Sequence, residues 1–400
     1  MKEADLMKPI HRKWLITVVF CLSVLLLGAA AFAESVHIWL ATDTHHLSPE
    51  LTDYGSLFYS VVYTNDGKLT EYSGELTDAF LQKAIDAHAD AVVVTGDLTF
   101  DGELKSLEDI VEKFKACQEA GVPVLVLPGN HDTSSTRARY YFANKSRPVE
   151  NFSQAKFEEI CSCLGRDQAI ARDEFSFSFI YPLRENLWLL MLDANTDNAR
   201  IGAVPEETLV WLEEWLQKAR DEGKTILSFS HQNLLPVNEL YYDEFTIVNC
   251  SAILKLYREY GVTWSFSGHS HIQHVTTLDG LTEYVTGPLC VTPLHYAVIT
   301  ADGADVRYDA YTMDMYQKEA VERFRAPMLM GMKSMLNDYA VSEEEREIMA
   351  DFAATINQAY FAGDWDSIHA LKDSRGWNLW RTKALGSFWY TYIWSIFEEY

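Results

Sequence analysis

The sequence has few basic residues relative to acidic ones, few prolines and few cysteines. Lysine and arginine number 33 against 58 aspartates and glutamates, for a formal net charge of −25. This balance argues against extended nucleic acid as a partner, because a polyphosphate duplex is held by a basic surface. With 11 prolines and 48% hydrophobic residues, the chain is not disordered. Its 400 residues exclude peptide hormones and disulfide miniproteins, and predict one large domain with an appendage, or two domains.

The amino-terminal 33 residues have the pattern of a secretory signal. Basic residues up to Lys13 precede an uncharged stretch over 14–33, which ends in small residues at Ala31 and Ala33. This order of basic, apolar and small residues is typical of a signal peptide. We therefore expect cleavage before Glu34 and a secreted or cell-surface protein. The alternative is an uncleaved membrane anchor, because the stretch is just long enough to span a bilayer.

The exported chain keeps an odd number of cysteines once Cys21 is removed with the signal. A sequence cannot fix disulfide connectivity, so we assign no disulfide. Most of these cysteines are interpreted as small buried hydrophobic residues. They are Cys117, Cys161, Cys163, Cys250 and Cys290.

Beyond the signal, short apolar runs alternate with amphipathic stretches, which predicts an α/β fold. One stretch predicts a helix capped by Ser106 and stopped by Gly121. Another predicts a helix between Pro205 and Gly223. The candidate strands are VHIWLAT, AVVVTG, VPVLVLPG, LWLLMLD, TILSFS and VTWSFSG.

Two later segments depart from this alternation. Residues 138–174 are predicted to be irregular, and they are candidates for the border of a substrate cleft. From Tyr311 onward the pattern becomes helical, with Ser342 as a predicted helix cap. The last 36 residues hold five of the 11 tryptophans, which predicts packing against a neighbouring domain.

Five of the apolar runs end in residues that can bind metal ions. In open α/β sheets the carboxyl ends of the strands line one crevice, so residues far apart in sequence can meet there. Two pairs are spaced by two residues, and we expect an extended backbone to point both members of each pair to one side. The residues are Asp43 and His45, Asp97, Asn130 and His131, His231, and His269 and His271.

Single members of this set have ordinary explanations. Asp43 could begin a turn, Asp97 could mark a strand exit, and a lone His231 is more often a hydrogen-bonded core histidine. The GNHD and GHSH sequences are less ordinary, because asparagine beside histidine after an apolar strand is an uncommon combination. The joint pattern therefore indicates a metal centre.

The order D-x-H, GD, GNHD, H and GHxH resembles the calcineurin-like metallophosphoesterase superfamily over roughly residues 36–271. Within it, GDLTFDGE and SHQNLLP resemble the bacterial class III 3′,5′-cyclic nucleotide phosphodiesterases. The resemblance implies a four-layer αββα catalytic sandwich over 34–312, following the signal at 1–33. It also implies a smaller helical carboxyl-terminal domain over 313–400.

The sequence also departs from two other branches of this superfamily. Protein serine/threonine phosphatases carry GDxVDRG and GNHE, whereas this chain has GDLTFDGE and GNHD, so their phosphate-binding arginine is missing. Purple acid phosphatases place a metal-binding tyrosine where this chain has Phe100. Both differences favour the phosphodiesterase branch.

The resemblance implies that two metal ions hold a bridging hydroxide that attacks the phosphoester. Mixed oxygen and imidazole ligands suit Mn, Fe or Zn better than Mg or Ca. His131 is then the candidate general acid. Asp132 either orients that imidazole or serves as an N-cap or turn residue. The implied ligands are Asp43, His45 and His271 for one ion, Asn130, His231 and His269 for the other, and Asp97 as the bridge.

The resulting hypothesis is an exported phosphodiesterase acting on small nucleotides, with cyclic nucleotides as the favoured class. A secreted phosphomonoesterase or nucleotide pyrophosphohydrolase is the enzymatic alternative. An exported binding module with a vestigial metal site is the alternative from another class. Only the amino-terminal segment, if uncleaved, is expected to contact a membrane, and the oligomeric state is left open.

Overall fold

The computed structural model describes residues 35–63, 67–195, 201–241, 245–303 and 305–399. The predicted signal segment lies outside these residues. In the part of the chain that is described, no helix is both long enough and apolar enough to cross a bilayer.

The first of two large sheets has five strands. Strands β1 (Val36–Ala41), β2 (Ala91–Thr95) and β3 (Val124–Leu127) run parallel, in the order of the chain. Strands β13 (His295–Asp302) and β14 (Asp305–Thr312) extend the sheet antiparallel beyond β1. The strand order β14-β13-β1-β2-β3 places β1 and β2 in the interior, so the residues that follow them emerge at the middle of the sheet edge.

Helices cover the outer face of this sheet. Helix α1 (Ser56–Val62) belongs to a small peripheral cluster, while α2 (Ser73–Asp86) and α3 (Leu104–Glu119) contribute buried faces to the main core. Helix α3 was expected to begin after Ser106, and that prediction is wrong: Ser106 lies inside the helix. Its hydroxyl accepts a hydrogen bond from the Ser48 amide, at 3.0 Å, instead of capping the helix.

The second sheet has seven strands. They are β6 (Ala171–Arg172), β7 (Phe179–Arg184), β8 (Leu187–Leu192), β9 (Thr225–Ser230), β10 (Trp264–Ser267), β11 (His274–Leu278) and β12 (Leu281–Val285). Their order in the sheet is β11-β12-β10-β9-β8-β7-β6. Strands β8, β9, β10 and β12 are parallel neighbours, so their carboxyl ends lie at one edge.

The two sheets face each other between two helical layers. On β8, Leu189 belongs to the core shared with the first sheet, whereas its neighbour Leu190 joins the cluster formed with α5 (Glu206–Asp221) and α6 (Cys250–Tyr260). Alternate residues of a strand point to opposite faces, so β8 is buried on both sides. The predicted αββα sandwich and all six candidate strands are therefore confirmed.

Residues 138–174 were expected to be irregular, and that prediction is wrong in part. Strands β4 (Arg139–Phe142) and β5 (Lys145–Pro148) form a hairpin, and helix α4 (Gln154–Cys161) follows it. Ala143 and Asn144 both have a positive φ, as a two-residue type I′ turn requires. The hairpin is mostly exposed, so its strands lack the alternation of apolar residues that would have revealed them.

The carboxyl-terminal part of the chain is helical, as predicted. Ser342 and Glu345 form a reciprocal capping box at the start of the second helix, which confirms the predicted cap. The helices are α7 (Gln317–Met335), α8 (Glu343–Phe361), α9 (Trp365–Leu371), α10 (Arg375–Lys383) and α11 (Phe388–Glu398).

The tryptophans of this region pack mainly within the helical domain itself. Trp377 and Trp380 are buried in its core, and the Trp380 indole donates to the Met349 carbonyl at 2.9 Å. Among the ring contacts of the described residues, Trp365 is the one of these five tryptophans that meets a ring of the catalytic domain, that of His274 in β11. The expectation that the tryptophans mark a domain interface therefore holds for only a small part of the set.

The helical region is anchored to the sandwich by a buried ion pair. Arg323 in α7 reaches Glu71 at 2.5 Å, and both side chains are less than a tenth exposed. A second Arg323 nitrogen donates to the Lys68 carbonyl at 3.1 Å. Farther along, the Tyr360 hydroxyl donates to the Val237 carbonyl at 3.0 Å. The two regions therefore share buried polar contacts as well as apolar ones.

The five cysteines of the described residues form no disulfide with one another, and four of them are buried. This outcome matches their interpretation as small hydrophobic residues. Burial raises the pKa of Cys290 to about 12, so its thiol stays protonated at neutral pH.

Arg323→Ala is expected to lower the free energy of unfolding by about 3–5 kcal/mol, because it leaves the buried Glu71 carboxylate without its partner. Chemical denaturation of the full chain measures this change. The matched control is Arg307→Ala, which removes an exposed arginine paired with Asp309 and should cost less than about 1 kcal/mol. Equal losses in the two variants would contradict a stabilising role for the buried pair.

Candidate metal centre

The predicted ligands converge on the facing carboxyl ends of five strands. Asp43 and His45 follow β1, Asp97 follows β2, and Asn130 follows β3. In the other sheet, His231 follows β9, and His269 with His271 follows β10. These strands are neighbours within their sheets, so residues up to 228 positions apart meet in one crevice.

One group of donor atoms surrounds His45. Its Nε2 lies 3.3 Å from Nε2 of His271, 3.7 Å from Oδ1 of Asp43 and 3.7 Å from Oδ2 of Asp97. The Asp43 oxygen lies 3.3 Å from His271 Nε2. Asp43, His45 and His271 can therefore place one atom each around a single ion.

A second group lies on the other side of Asp97. Oδ1 of Asp97 is 3.4 Å from Nε2 of His231, which is itself 2.9 Å from Oδ1 of Asn130. His269 joins Asp97 and His231 in a group whose donor atoms all lie within 4.8 Å of one another. Asp97 belongs to both groups, one oxygen facing each, which is the arrangement expected of a bridging carboxylate.

An unsatisfied oxygen at this site fits a metal centre. Oδ1 of Asp43, which faces His45 and His271, is buried and has no hydrogen-bond partner. Buried polar atoms without partners are costly. Two imidazole nitrogens 3.3 Å apart also need a proton or a cation between their lone pairs. The mixed oxygen and nitrogen donors suit transition-metal ions.

Neighbouring groups fix which atoms remain available for a metal. Nδ1 of His231 contacts the Thr95 carbonyl at 2.7 Å, so it carries the proton and leaves Nε2 with its lone pair. Oδ2 of Asp43 accepts from the Thr42 hydroxyl at 2.6 Å and from the His269 amide at 3.1 Å. Oδ1 of Asp43 is therefore the free oxygen.

The electrostatics keep most of these groups in the form that binds metals. Burial lowers the pKa of His269 to about 3 and lowers the pKa of His45 well below its usual value. Burial opposes ionisation of Asp97, but the charges of His231 and His131 hold its pKa well below the usual range. For His231 burial again opposes the charged form, but Asp97 raises its pKa to about 9. A metal that binds His231 therefore displaces a proton.

The backbone at the ligands is left-handed, so the expectation that extended backbone aligns each pair is wrong. The φ angles are 52° at Asp43, 41° at His45, 48° at Asp97, 65° at His269 and 60° at His271. Residues other than glycine rarely adopt this conformation, and it clusters at functional sites. Tight turns beyond the strand ends, not the pleat of the strands, bring each pair together.

Two glycines allow the ligand loops to approach each other. A Cβ atom at Gly129 would lie 2.1 Å from Oδ1 of Asp97, and one at Gly268 would lie 2.0 Å from Oγ1 of Thr42. Neither position can hold a side chain without moving a ligand or its hydrogen-bond partner. The glycines of the GNHD and GHSH sequences are thus explained by close packing.

His131 lies beside the bridging aspartate and is oriented by residues that the sequence reasoning missed. Its Nδ1 contacts the Phe100 carbonyl at 2.9 Å and Oδ1 of Asp101 at 3.1 Å. Its backbone amide donates to Oδ1 of Asp97 at 2.7 Å. His131 also forms a donor group with His45 and Asp97, so its Nε2 faces the centre. Asp101 could have been found from its position in the GDLTFDGE sequence, four residues after Asp97.

Asp132 does not orient His131, which corrects one of the two roles considered for it. Its carboxylate accepts hydrogen bonds from the amides of Thr99 at 2.8 Å and Gly129 at 2.8 Å, and from the Thr99 hydroxyl at 2.7 Å. Asp132 therefore joins the loop after β2 to the loop after β3. Its structural role is that of a turn residue.

Two arginines lie close to this loop in the sequence. Arg137 is half exposed and pairs with Oδ1 of Asp101 at 3.1 Å. Arg139 donates to the Ser146 hydroxyl at 2.7 Å within the hairpin. Both guanidinium groups are therefore engaged by neighbouring residues.

Glu103, at the end of the same loop, is buried, and one of its oxygens has no partner. Burial raises its pKa from 4.5 to about 8. The folded protein then holds this proton more tightly than the unfolded chain does. Its contribution to stability is full below about pH 4.5 and is lost as the pH rises towards 8.

Glu103→Gln should therefore flatten the pH dependence of stability. Between pH 5 and 8 the wild-type free energy of unfolding should fall more steeply than that of the variant, by up to about 1.4 kcal/mol per pH unit. Denaturant unfolding with a chelator present measures both slopes without a contribution from metal binding. Glu108→Gln on the exposed face of α3 is the control and should keep the wild-type slope. Parallel curves for wild type and Glu103→Gln would refute the assignment.

Comparison with known families gives two matches along the chain. A model of the calcineurin-like phosphoesterase family matches residues 36–273. A model of the C-terminal domain of cyclic nucleotide phosphodiesterase matches residues 306–400. All seven candidate ligands lie within the first match.

Individual relatives are distant. A protein of Arcobacter nitrofigilis named probable glycerophosphodiester phosphodiesterase GpdQ is 30% identical over 142 residues, which is 36% of this chain and 41% of that protein. The match thus spans about two fifths of the relative's length. The structure of a dimetal phosphatase of Danio rerio matches with a TM-score of 0.49 and 16% identity. The match covers 69% of this chain and 99% of the phosphatase chain. The structure of the purple acid phosphatase PPD1 of yellow lupin (Lupinus luteus) matches with a TM-score of 0.42 and 14% identity, over 70% of this chain and 52% of the PPD1 chain.

Proposed function

Because this chain belongs to the calcineurin-like phosphoesterase family and is a metal-dependent phosphoester hydrolase, we propose that it cleaves a small phosphodiester, with 3′,5′-cyclic nucleotides as the favoured substrates. The observation that carries the proposal is the double set of ligand atoms on either side of Asp97. The match of residues 306–400 to the C-terminal domain of cyclic nucleotide phosphodiesterase supports the substrate class.

The proposed centre binds two divalent metal ions. Asp43, His45 and His271 would hold one ion, and Asn130, His231 and His269 would hold the other. Asp97 would provide an oxygen to each. When bound, such ions acidify water and stabilise negative charge on phosphoryl oxygens. Mn, Fe and Zn are the proposed metals, because imidazole and carboxylate together suit these ions.

The electrostatic surroundings make this crevice suitable for an anion despite the acidic chain. Asp43 and Asp97 bring two negative charges, which two divalent cations more than balance. A net positive charge then remains at the strand ends. A small phosphodiester can dock there, whereas a long polyanion would meet the acidic surface around it.

His131 is the proposed general acid. Its Nδ1 faces the Phe100 carbonyl and the Asp101 carboxylate, which orient the ring and leave Nε2 facing the centre. Protonated Nε2 can donate its proton to the leaving oxygen of the ester as the P–O bond breaks. Asp101 is a positioning residue, because it acts on the substrate only through His131.

The uncharged amino-terminal stretch supports the further proposal that the protein is exported. An exported enzyme would meet nucleotides outside the cytosol, where hydrolysis would serve to scavenge them.

A phosphomonoesterase or pyrophosphohydrolase would use the same residues, so a substrate panel must separate these reactions. The panel should contain 3′,5′-cyclic nucleotides, glycerophosphodiesters, nucleoside monophosphates and nucleotide sugars. Turnover of monoesters alone would overturn the diester assignment.

Asp97→Ala should abolish hydrolysis of every substrate in the panel and reduce the bound metal, because it removes a side chain that has one oxygen facing each ligand group. Elemental analysis and initial rates with added Mn²⁺ measure the two effects. Asp366→Ala, at an exposed position of α9, should behave as wild type. Full activity in Asp97→Ala would refute the proposed centre.

His131→Ala should lower kcat by about 10²–10⁴-fold while leaving the metal content near the wild-type value. His88→Ala, which changes an exposed histidine, is the control for the purification and the assay. A loss of metal in His131→Ala would instead make His131 a ligand, because its ring lies in a donor group with His45 and Asp97.

A further inference from the structure

The two residues that follow His271 both contact the helical domain. Ile272 is 4% exposed and belongs to the apolar core that α8 forms with its neighbours. The amide of Gln273 donates to the Phe361 carbonyl, in the last turn of α8, at 3.0 Å. The loop that carries this proposed ligand is therefore attached to a domain that supplies none of the proposed ligands.

The end of α8 has the geometry that this contact requires. Gly363 has a φ of 65°, and the Asp364 amide donates back to the Ala359 carbonyl at 2.9 Å, as in a Schellman motif. The last carbonyls of a helix have no partner within the helix. The Phe361 carbonyl is one of them, and the Gln273 amide is its donor. The ligand loop thus satisfies the end of the helix.

Gly363 also allows the two domains to approach each other at the level of the backbone. A Cβ atom at this position would lie 2.7 Å from the Gln273 carbonyl oxygen and 3.2 Å from Cγ of the same residue. On its other side, the Gln273 side chain donates to the Tyr308 hydroxyl at 3.0 Å and accepts from the Gly287 amide at 3.1 Å. Gln273 is therefore fixed through both its backbone and its side chain.

His271 depends on its backbone for orientation more than His231 does. The Nδ1 atom of His231 is held by the Thr95 carbonyl at 2.7 Å, as is usual for a metal-binding histidine. Among the described residues, the polar contacts of the His271 ring are those of its Nε2 with His45 and Asp43. These contacts do not fix the ring as a carbonyl would, because all three groups present lone pairs to the same ion position. The backbone that carries His271 must therefore be held from behind.

We propose that the turn at the end of α8 is a positioning element of the metal centre, which fixes Gln273 and thereby aims Nε2 of His271 at its ion. The helical domain then contributes to metal affinity without supplying a ligand. Gln273, Phe361 and Gly363 are positioning residues, because they act on the ion only through His271. This inference rests on the proposed function, since it concerns one of the same two ion positions.

The helical domain also contacts the loop after β9, but farther from its ligand. Val237 packs in the same apolar core, and its carbonyl accepts from the Tyr360 hydroxyl at 3.0 Å. Val237 lies six residues after His231, whereas Gln273 lies two residues after His271. The effect of the helical domain is therefore expected to be larger at the ion that His271 binds.

The first test compares Gly363→Ala with Gly386→Ala in the full chain. Both glycines lie in the helical domain with a positive φ, 65° and 80°, so alanine introduces backbone strain at each. A Cβ atom at Gly363 would meet the ligand loop, whereas nothing lies within 4 Å of one at Gly386. After removal of metal with a chelator, titration with Mn²⁺ followed by electron paramagnetic resonance gives the dissociation constants of the two ions.

A second pair of variants keeps the test valid if Gly363→Ala fails to fold. Ile272→Ala and Ile356→Ala each remove an apolar side chain, 4% and 0% exposed, from the same core. Ile272 adjoins His271, whereas Ile356 lies within α8. Chemical denaturation measures the stability that each variant loses, so that loss of stability can be separated from loss of metal affinity.

Gly363→Ala and Ile272→Ala should each bind one Mn²⁺ ion about 10- to 100-fold more weakly, as when a contact that orients a metal-binding histidine is lost. The other ion should be affected less. Excess Mn²⁺ should restore most of the hydrolysis of bis(p-nitrophenyl) phosphate, because the ligands are intact. Gly386→Ala and Ile356→Ala should keep the wild-type constants. Wild-type constants in a folded Gly363→Ala or Ile272→Ala protein would overturn the proposal, and so would equal weakening in the controls.

The two proposals can fail separately. If the wild-type protein binds Mn²⁺ but cleaves no phosphoester in the panel, the proposed function fails, while the Mn²⁺ constants still test the role of the helical domain. If wild type is active and both Gly363→Ala and Ile272→Ala bind Mn²⁺ normally, the function stands and the turn after α8 does not position His271.

Discussion

The structure depends on one electrostatic constraint: buried carboxylate and imidazole lone pairs are held within 3.3–3.7 Å of one another. These groups repel each other or remain unsatisfied unless cations lie between them. The shared carboxylate of Asp97 then determines that there are two ion positions, because one of its oxygens faces each group. The metal chemistry of the family follows from this arrangement of donors.

Holding the donors so close requires a rigid frame and a strained local backbone. Left-handed conformations at five of the seven candidate ligands cost about 1–3 kcal/mol each. They persist only because the surrounding structure imposes them. Two sheets buried on both faces provide such surroundings, because the central strands β1, β2, β9 and β10 cannot move without disrupting the core. The carboxylate of Asp132 adds a direct link between two of the ligand loops.

The sequence was sufficient for the elements that have a strong local signal. The apolar runs predicted the strands, and the polar residues that end them predicted the side chains that converge at the candidate site, because hydrophobic patterning indicates which segments are buried strands. The sequence alone did not reveal features that depend on long-range contacts or on the backbone conformation of single residues. The contact between Asp101 and His131, the approach of Gly363 to Gln273 and the left-handed turns depend on how distant segments pack. The β4–β5 hairpin was missed because it is mostly exposed. Ser106 was wrongly predicted to cap a helix, because its hydroxyl accepts a hydrogen bond from the Ser48 amide, a contact between distant segments.

The pairing of Arg323 with Glu71 has a consequence for how such proteins can be recombined. The arginine comes from the helical domain, while the carboxylate and the adjoining Lys68 backbone come from the sandwich. A helical domain grafted from another protein would have to place its own guanidinium at the same position, or leave the buried Glu71 carboxylate without a partner. The two halves of this chain are consequently poor candidates for independent exchange, and inheritance as a single unit is the simpler route for them.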